Sequence, residues 1–268
     1  MAMTRVYAIG DVHGDFKPIR AFYQNIREKL PSTDKVVLIC LGDFGANYFF
    51  NYRDEEFKKK LGTYNIEYFV IRGNHEERPE NCAANNPAAW KQEIYFGNLV
   101  WVEKDYPYIK YAIDHPTAYL INKHLTFVIP GAYSVDKYYR LKNEMSWFKD
   151  EQLTALEMLR GRFLAENIEK CDMVLSHTCP LTYEPTDLFL KQVDQSMVDK
   201  TMERYLSEIE SRLKYKLWLW GHYHATRVYP SWNNSDRVML FNDKVLNIDE
   251  YFKNNDPYNY LVDINLTK

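Results

Sequence analysis

Asp11 and His13 stand two residues apart between Gly10 and Gly14, directly after the apolar run Arg5-Val6-Tyr7-Ala8-Ile9. In an extended stretch, residues i and i+2 point the same way, so a carboxylate and an imidazole can face one point there, while the glycines let the backbone turn tightly. The same arrangement recurs along the chain. Gly42-Asp43 follows Val36–Leu41, and Gly73-Asn74-His75-Glu76 follows Ile66–Ile71. His177 follows Met173–Ser176, and Gly221-His222-Tyr223-His224 follows Leu217–Trp220. Mixed imidazole and carboxylate donors suit divalent zinc, manganese, iron and related metals. Donors in this number exceed one ordinary site, so two metals sharing a carboxylate is the economical reading. His115 and His124 lack such a setting and read as structural residues.

These side chains can act together only if their strands end on one edge. The short apolar runs read as buried strands. Helical patterns at Phe16–Leu30, ending before Pro31, and at Tyr52–Leu61 read as crossovers, so the first three strands should lie parallel. In open α/β sheets, ligands bind beyond the carboxyl ends of the strands, where the polar clusters sit. Residues 77–98 are turn-rich and read as a loop, with a short helix around Trp90, folding over the site. Val100–Val102, Ala118–Ile121 and Leu125–Ile129 read as short strands of a second sheet. The runs Arg227–Tyr229, Val238–Phe241, Val245–Ile248 and Tyr260–Val262 would close it. Between them lie helical patterns at Lys149–Lys170 and Met197–Lys214. Pro130–Arg140 is a polar, aromatic loop that can reach the site. No linker, internal repeat or low-complexity tract divides residues 1–268, which read as a single domain.

Among 268 residues, 34 are Lys or Arg and 37 Asp or Glu, for a net charge of −3, so no global positive field draws the chain to nucleic acid or anionic lipid. Cys40, Cys82, Cys171 and Cys179 show no zinc-finger spacing, and the N-terminus carries no apolar segment of signal or membrane-spanning length. Four reduced thiols in a cytoplasmic protein, with no membrane partner, is the expectation.

In order and spacing, Gly-Asp11-x-His13-Gly, Gly-Asp43, Gly-Asn74-His75-Glu, His177 and Gly-His222-x-His224 resemble the calcineurin-like metallophosphoesterase family. The resemblance implies an α/β (α+β) fold, a four-layer αββα sandwich of two mixed sheets flanked by helices, with a dinuclear metal centre at the strand ends. It implies that one metal takes Asp11, His13, Asp43 and His224, and the other Asp43, Asn74, His177 and His222, with Asp43 shared. Two divalent ions (Mn, Fe, Zn or Mg, with Mn favoured) would then activate a bridging hydroxide. A phosphoester resists neutral water and its anionic oxygens repel hydroxide; two cations ~3.5–4 Å apart lower the pKa of a bridging water and stabilise the charge that builds on attack. His75 matches the family's catalytic histidine, which stabilises or protonates the leaving oxygen.

One departure matters. The phosphoprotein-phosphatase branch carries Gly-Asp-x-x-Asp-Arg-Gly, whereas Gly42-Asp43-Phe44-Gly45-Ala46-Asn47-Tyr48 lacks the second Asp and the Arg. That argues against a protein phosphatase of that branch and leaves open what orients His75, with Glu76 and Asn47 both candidates. Arg140 is the candidate for the missing phosphate contact, because a guanidinium binds phosphate bidentately. The expected function is hydrolysis of a small-molecule phosphomonoester or phosphodiester. The alternatives are a nuclease, disfavoured by the charge balance, and a non-catalytic protein-binding scaffold, disfavoured because every motif residue is present.

Overall fold

Continuous apolar runs form the first three strands, β1 (Thr4–Ile9), β2 (Lys35–Leu41) and β3 (Glu67–Ile71), paired in parallel through the crossover helices α1 (Phe16–Asn25) and α2 (Tyr52–Leu61). The computed structural model describes residues 3–264. Beyond β3 come α3 (Pro79–Asn85), β4 (Trp90–Tyr95), β5 (Asn98–Glu103), β6 (Ile109–Ala112), β7 (Thr117–Ile121), β8 (His124–Ile129), α4 (Lys137–Lys142) and α5 (Ala155–Ile168). The chain continues through β9 (Met173–Ser176), α6 (Thr201–Arg212), β10 (Leu217–Trp220), β11 (Arg227–Trp232) and β12 (Ser235–Met239). It closes with β13 (Lys244–Asn247), α7 (Ile248–Asn254), α8 (Pro257–Tyr260) and β14 (Leu261–Asp263).

One sheet has the order β14-β13-β1-β2-β3-β6-β5-β4 and the other β11-β12-β10-β9-β8-β7. Both mix parallel and antiparallel pairs. The period-two alternation of β2 explains why that strand is apolar throughout. Val37, Ile39 and Leu41 face the other sheet and pack with Val128, Leu175 and Leu219, whereas Val36, Leu38 and Cys40 face the helices with Ile19, Phe22 and Phe57. A third cluster fills the outer face of the second sheet, where Met158, Ala165, Met202 and Leu206 cover Val174 and Trp218. Truncating an inter-sheet residue such as Leu175 to Ala would cost about 2–5 kcal/mol through lost transfer energy and the cavity left behind. Two mixed sheets between helical layers is the architecture expected, and it aligns the carboxyl ends of β1, β2, β3, β9 and β10.

Several expectations are corrected. The 77–98 segment does not lie over the site: it forms α3 and then β4, with Trp90 starting a strand at the sheet edge and packing on Tyr111. Asn98–Glu103 belongs to the first sheet, because β5 pairs with β6, which continues the parallel series from β3. Lys244–Asn247 also joins the first sheet, antiparallel to β1 with Ala8 opposite Leu246, and Leu261–Asp263 extends that edge. Strand partners are long-range choices that the local pattern leaves open. The first helix stops at Asn25, because Arg27 turns inward to donate to the carbonyls of Asn65 and Pro31. The helix expected from Lys149 begins at Ala155, where Thr154 and Glu157 form a reciprocal capping box. The helix expected over Met197–Lys214 is confined to Thr201–Arg212.

Candidate metal centre

Asp11 and His13 follow β1, Asp43 follows β2, Asn74 and His75 follow β3, His177 follows β9, and His222 and His224 follow β10. All eight meet where the two sheets' strand ends adjoin. The Nε2 atoms of His13 and His224 lie 2.9 Å apart, and His177 Nε2 is 2.9 Å from Asn74 Oδ1. Asp43 Oδ2 lies 3.5 Å from His177 Nε2 and 4.0 Å from the Nε2 of both His13 and His75. The His222 ring sits 5.0 Å from that of His177. Donor atoms of Asp11, His13 and His224 fall within 4.8 Å of one another, as do those of Asp11, Asp43 and His177. Asp11 is common to both groups, while Asp43 reaches toward His13 on one side and His177 on the other.

Convergence does not come from strand alternation. Asp11, His13, Asp43, His222 and His224 all lie beyond the strand ends with left-handed backbone, at φ of 46°, 52°, 49°, 72° and 51°. Non-glycine residues adopt that region only where the surroundings over-determine it, and such strain concentrates at functional sites. Two glycines make the crowding possible. A Cβ at Gly42 would lie 2.1 Å from His177 Nδ1, and one at Gly73 would lie 2.0 Å from Asp43 Oδ1.

Further hydrogen bonds aim the donors. His177 Nδ1 is 2.7 Å from the Leu41 carbonyl, so Nδ1–H donates there and Nε2 is left free to face Asp43. The His75 amide donates to Asp43 Oδ1 at 2.8 Å, leaving Oδ2 toward the imidazoles. The His222 amide lies 2.9 and 3.0 Å from the two Asp11 oxygens. Asn74 Nδ2 donates to Ser134 Oγ at 2.9 Å, and Ser134 is in turn held by the buried Glu151 carboxylate, which also accepts from Trp147 Nε1 at 2.9 Å.

The donor set fits divalent metal. Asp11, Asp43 and His177 are 0%, 1% and 0% exposed, and buried carboxylates of this kind need a cation. Burial and the neighbouring Asp43 push Asp11 up to about 8. Asp43 stays well below the usual carboxylate range despite its burial, because the His177 and His75 imidazoles lie against it. His177 is pushed up to about 9 by Asp43 against its own desolvation. His222 and His224 are both held down by burial, His224 to about 4, which keeps them neutral, as ligation requires.

Beside this cluster, Arg140 comes from α4 rather than from a loop, and its Nη2 lies 3.3 Å from His75 Nε2. Its Nε donates to Asp136 at 2.7 Å and its Nη1 to the Tyr48 hydroxyl at 2.6 Å. Neither sequence candidate for orienting His75 does so. Glu76 Oε1 accepts from the Gly45 amide at 2.7 Å, so it braces the turn after Asp43, and the Asn47 carbonyl accepts from the Glu77 amide at 3.1 Å. Asn74 Nδ2, 3.2 Å from His75 Nε2, and Arg140 are the partners instead. Ser134, Glu151 and Tyr48 were not legible as site residues, because single Ser, Glu and Tyr residues carry no motif. The density of polar side chains in Pro130–Arg140 was the one signal.

The family described as calcineurin-like phosphoesterase matches residues 4–226. No curated protein matches the chain. Solved structures similar to it include the phosphopantetheinyl hydrolase from Mycobacterium tuberculosis, at 14% identity over 98% of this chain and 96% of that one, with a TM-score of 0.47. TT1561 of Thermus thermophilus is 15% identical over 92% of this chain and 95% of its own, also at 0.47. A dimetal phosphatase from Danio rerio is 9% identical over 92% and 95%, again at 0.47.

Proposed function

We propose, from the premise that this chain belongs to the calcineurin-like phosphoesterase family, that it is a metal-dependent hydrolase of a small-molecule phosphomonoester or phosphodiester. The observation that carries this reading is the pairing of the buried Asp11 and Asp43 carboxylates, encircled by five imidazoles, with a guanidinium at their edge. The inter-sheet core shared by both halves supports treating residues 1–268 as one catalytic domain.

Asp11, His13, Asp43 and His224 would hold one divalent ion, and Asp43, Asn74, His177 and His222 a second, manganese being the favoured occupant. Bound there, the pair would supply Lewis acidity that activates water and neutralises phosphoryl charge. Arg140 holds its guanidinium ready through Asp136 and Tyr48, so its remaining N–H groups meet the phosphoryl oxygens without large reorganisation. His75 Nε2 faces two donors, Asn74 Nδ2 and Arg140 Nη2, and burial followed by Arg140 keeps the imidazole below its ordinary pKa against the pull of Asp43. Protonation therefore depends on the substrate. Phosphoryl oxygens that engage Arg140 bring negative charge to His75, and its Nε2–H can then be delivered to the departing oxygen.

Protein stripped of metal and reloaded separately with Mn, Zn, Fe or Mg, then assayed on matched monoesters and diesters, tests the reading. Hydrolysis that returns with metal supports it. Inactivity with every metal on every ester, at full metal occupancy, would leave the scaffold alternative standing.

A further inference from the structure

A cavity of about 330 Å³ opens directly against the metal donors, with Asp43, His75, His222 and His224 on its floor. Its volume lies at the small end of the range for ligand sites. The opposite wall comes from residues 181–200, which connect β9 to α6. Leu188, Phe189, Leu190, Val193 and Val198 line the cavity from there, although this connection lies at the surface. The wall is built in place. Lys200 and Glu184 pair at 2.6 Å across the ends of the connection, Arg227 grips Asp187 through two bonds of 2.9 and 2.7 Å, and Lys200 Nζ lies 4.6 Å over the Phe189 ring.

Two further features restrict what fits. Among the described lining residues, Lys200 is the one Lys or Arg and is already paired, while Asp136, Glu184, Asp199 and Glu203 are acidic. A second phosphate on the ligand would meet repulsion there. Glu203, from α6, is 3% exposed; its Oε1 accepts from Thr178 Oγ1 at 2.7 Å, but its Oε2 has no hydrogen-bond partner. A buried acceptor without a donor is costly, and a lining position lets a ligand supply one.

We infer that this cavity receives the alcohol part of the phosphoester, and that the substrate is a compact organophosphate with a single phosphoryl group whose apolar chain or ring ends in a hydrogen-bond donor bound by Glu203 Oε2. The inference rests on the hydrolase reading and adds the substrate class to it. The floor takes the phosphoryl group, the apolar wall takes the carbon skeleton, and Glu203 sets its length and terminus.

The test uses the manganese-loaded full chain at pH 8, where the Glu203 carboxyl is ionised and Oε2 accepts, with methyl, butyl, 4-aminobutyl and 3-methoxypropyl phosphates, each as monoester and as methyl diester. Burying three further methylenes should raise kcat/KM from methyl to butyl by roughly 10- to 60-fold. The 4-aminobutyl ester, whose terminus only donates, should exceed the methoxypropyl ester, whose terminus only accepts. Glu203→Gln turns an NH₂ toward the cavity and should invert that order. Val193→Trp, which places an indole in the cavity, should collapse the butyl-to-methyl ratio toward one. Calorimetric binding of 4-amino-1-butanol to metal-free protein provides a readout without turnover, and Val193→Trp should weaken it about 10-fold or more. Equal kcat/KM for all four esters would overturn the inference while leaving the hydrolase reading intact. Hydrolysis of none of them with Mn, Zn, Fe or Mg, nor of any nitrophenyl ester, by protein that still binds the amino alcohol would sink the hydrolase reading and keep the cavity assignment; absence of both would remove both.

Discussion

The Nη2 of Arg140 lies 3.3 Å from the Nε2 of His75, although 65 residues separate them and one follows the first sheet while the other follows the second. The only other contact His75 Nε2 makes within hydrogen-bonding range among the described residues is to Asn74 Nδ2. A guanidinium is thus brought to the His75 imidazole without the arginine that the phosphoprotein-phosphatase branch carries in its second motif.

Arg140→Ala should lower kcat/KM by roughly 10- to 150-fold, the equivalent of one or two lost hydrogen bonds to a charged group at ~1.5–3 kcal/mol. Metal content should not change, since Arg140 contacts none of the carboxylates at the metal donors. Unaltered kinetics on the best substrate would reduce Arg140 to a partner of Asp136 and Tyr48.

His75→Asn should keep both metals and the fold. If His75 protonates the leaving oxygen, activity on alkyl esters should fall by ~10²–10⁴-fold, and distinctly less on nitrophenyl esters, whose departing anion needs no proton. Equal losses on both would assign His75 to electrostatic stabilisation of the phosphoryl oxygens instead.

Asp43→Asn should disturb both metals, because Asp43 Oδ2 lies 4.0 Å from His13 Nε2 and 3.5 Å from His177 Nε2 and so serves both sides of the cluster. Elemental analysis under saturating manganese should show two ions in the wild type and fewer than one tightly held ion in the variant. A variant that retains one full ion would show that the carboxylate is not shared.

Ser134→Ala removes the oxygen that accepts from Asn74 Nδ2 at 2.9 Å. Groups that orient metal ligands typically contribute 10- to 100-fold to affinity. One of the two manganese affinities should therefore weaken by about 10-fold in a competition titration, with the other unmoved. If neither moves, Ser134 only satisfies Glu151.

Glu203 provides a pH test of stability. Burial raises its carboxyl from 4.5 to about 7 against the hydrogen bond from Thr178. Its folded pKa lies above its unfolded one, so its contribution is fully present below about pH 4.5 and is lost as pH rises through about 7. The loss is on the order of 3 kcal/mol. Urea denaturation of wild type and Glu203→Gln at pH 4.5, 6 and 8 should therefore show the wild type losing stability relative to the variant by that amount. A difference that stays constant across the range would show that Glu203 ionises freely in the fold.

The candidate metal donors were readable in the sequence, because ligation needs particular side chains, and the apolar runs before them mark where strands stop. Asp11, Asp43, Asn74, His177 and His222 could be placed at strand ends from local pattern alone, since burial on both faces of β2 or β10 demands an unbroken apolar run. How those side chains converge was not readable. Alternation predicted that Asp11 and His13 share a face, yet both are turned by left-handed backbone past the strand, where the His13–Gly14 backbone packs closely against Gly45 of the turn after β2. Partner choice was equally hidden: the short runs of β5, β13 and β14 do not specify which sheet they join, and hydrogen bonds to β6, β1 and β13 respectively decide it. Arg140, Ser134 and Glu203 belong to no motif, and their positions beside His75, Asn74 and the cavity arise from contacts between segments far apart in the chain. Sequence determines the donors and the strands that carry them, because both follow from local chemistry. The tertiary structure alone decides their mutual geometry, because it depends on long-range packing of two sheets against each other.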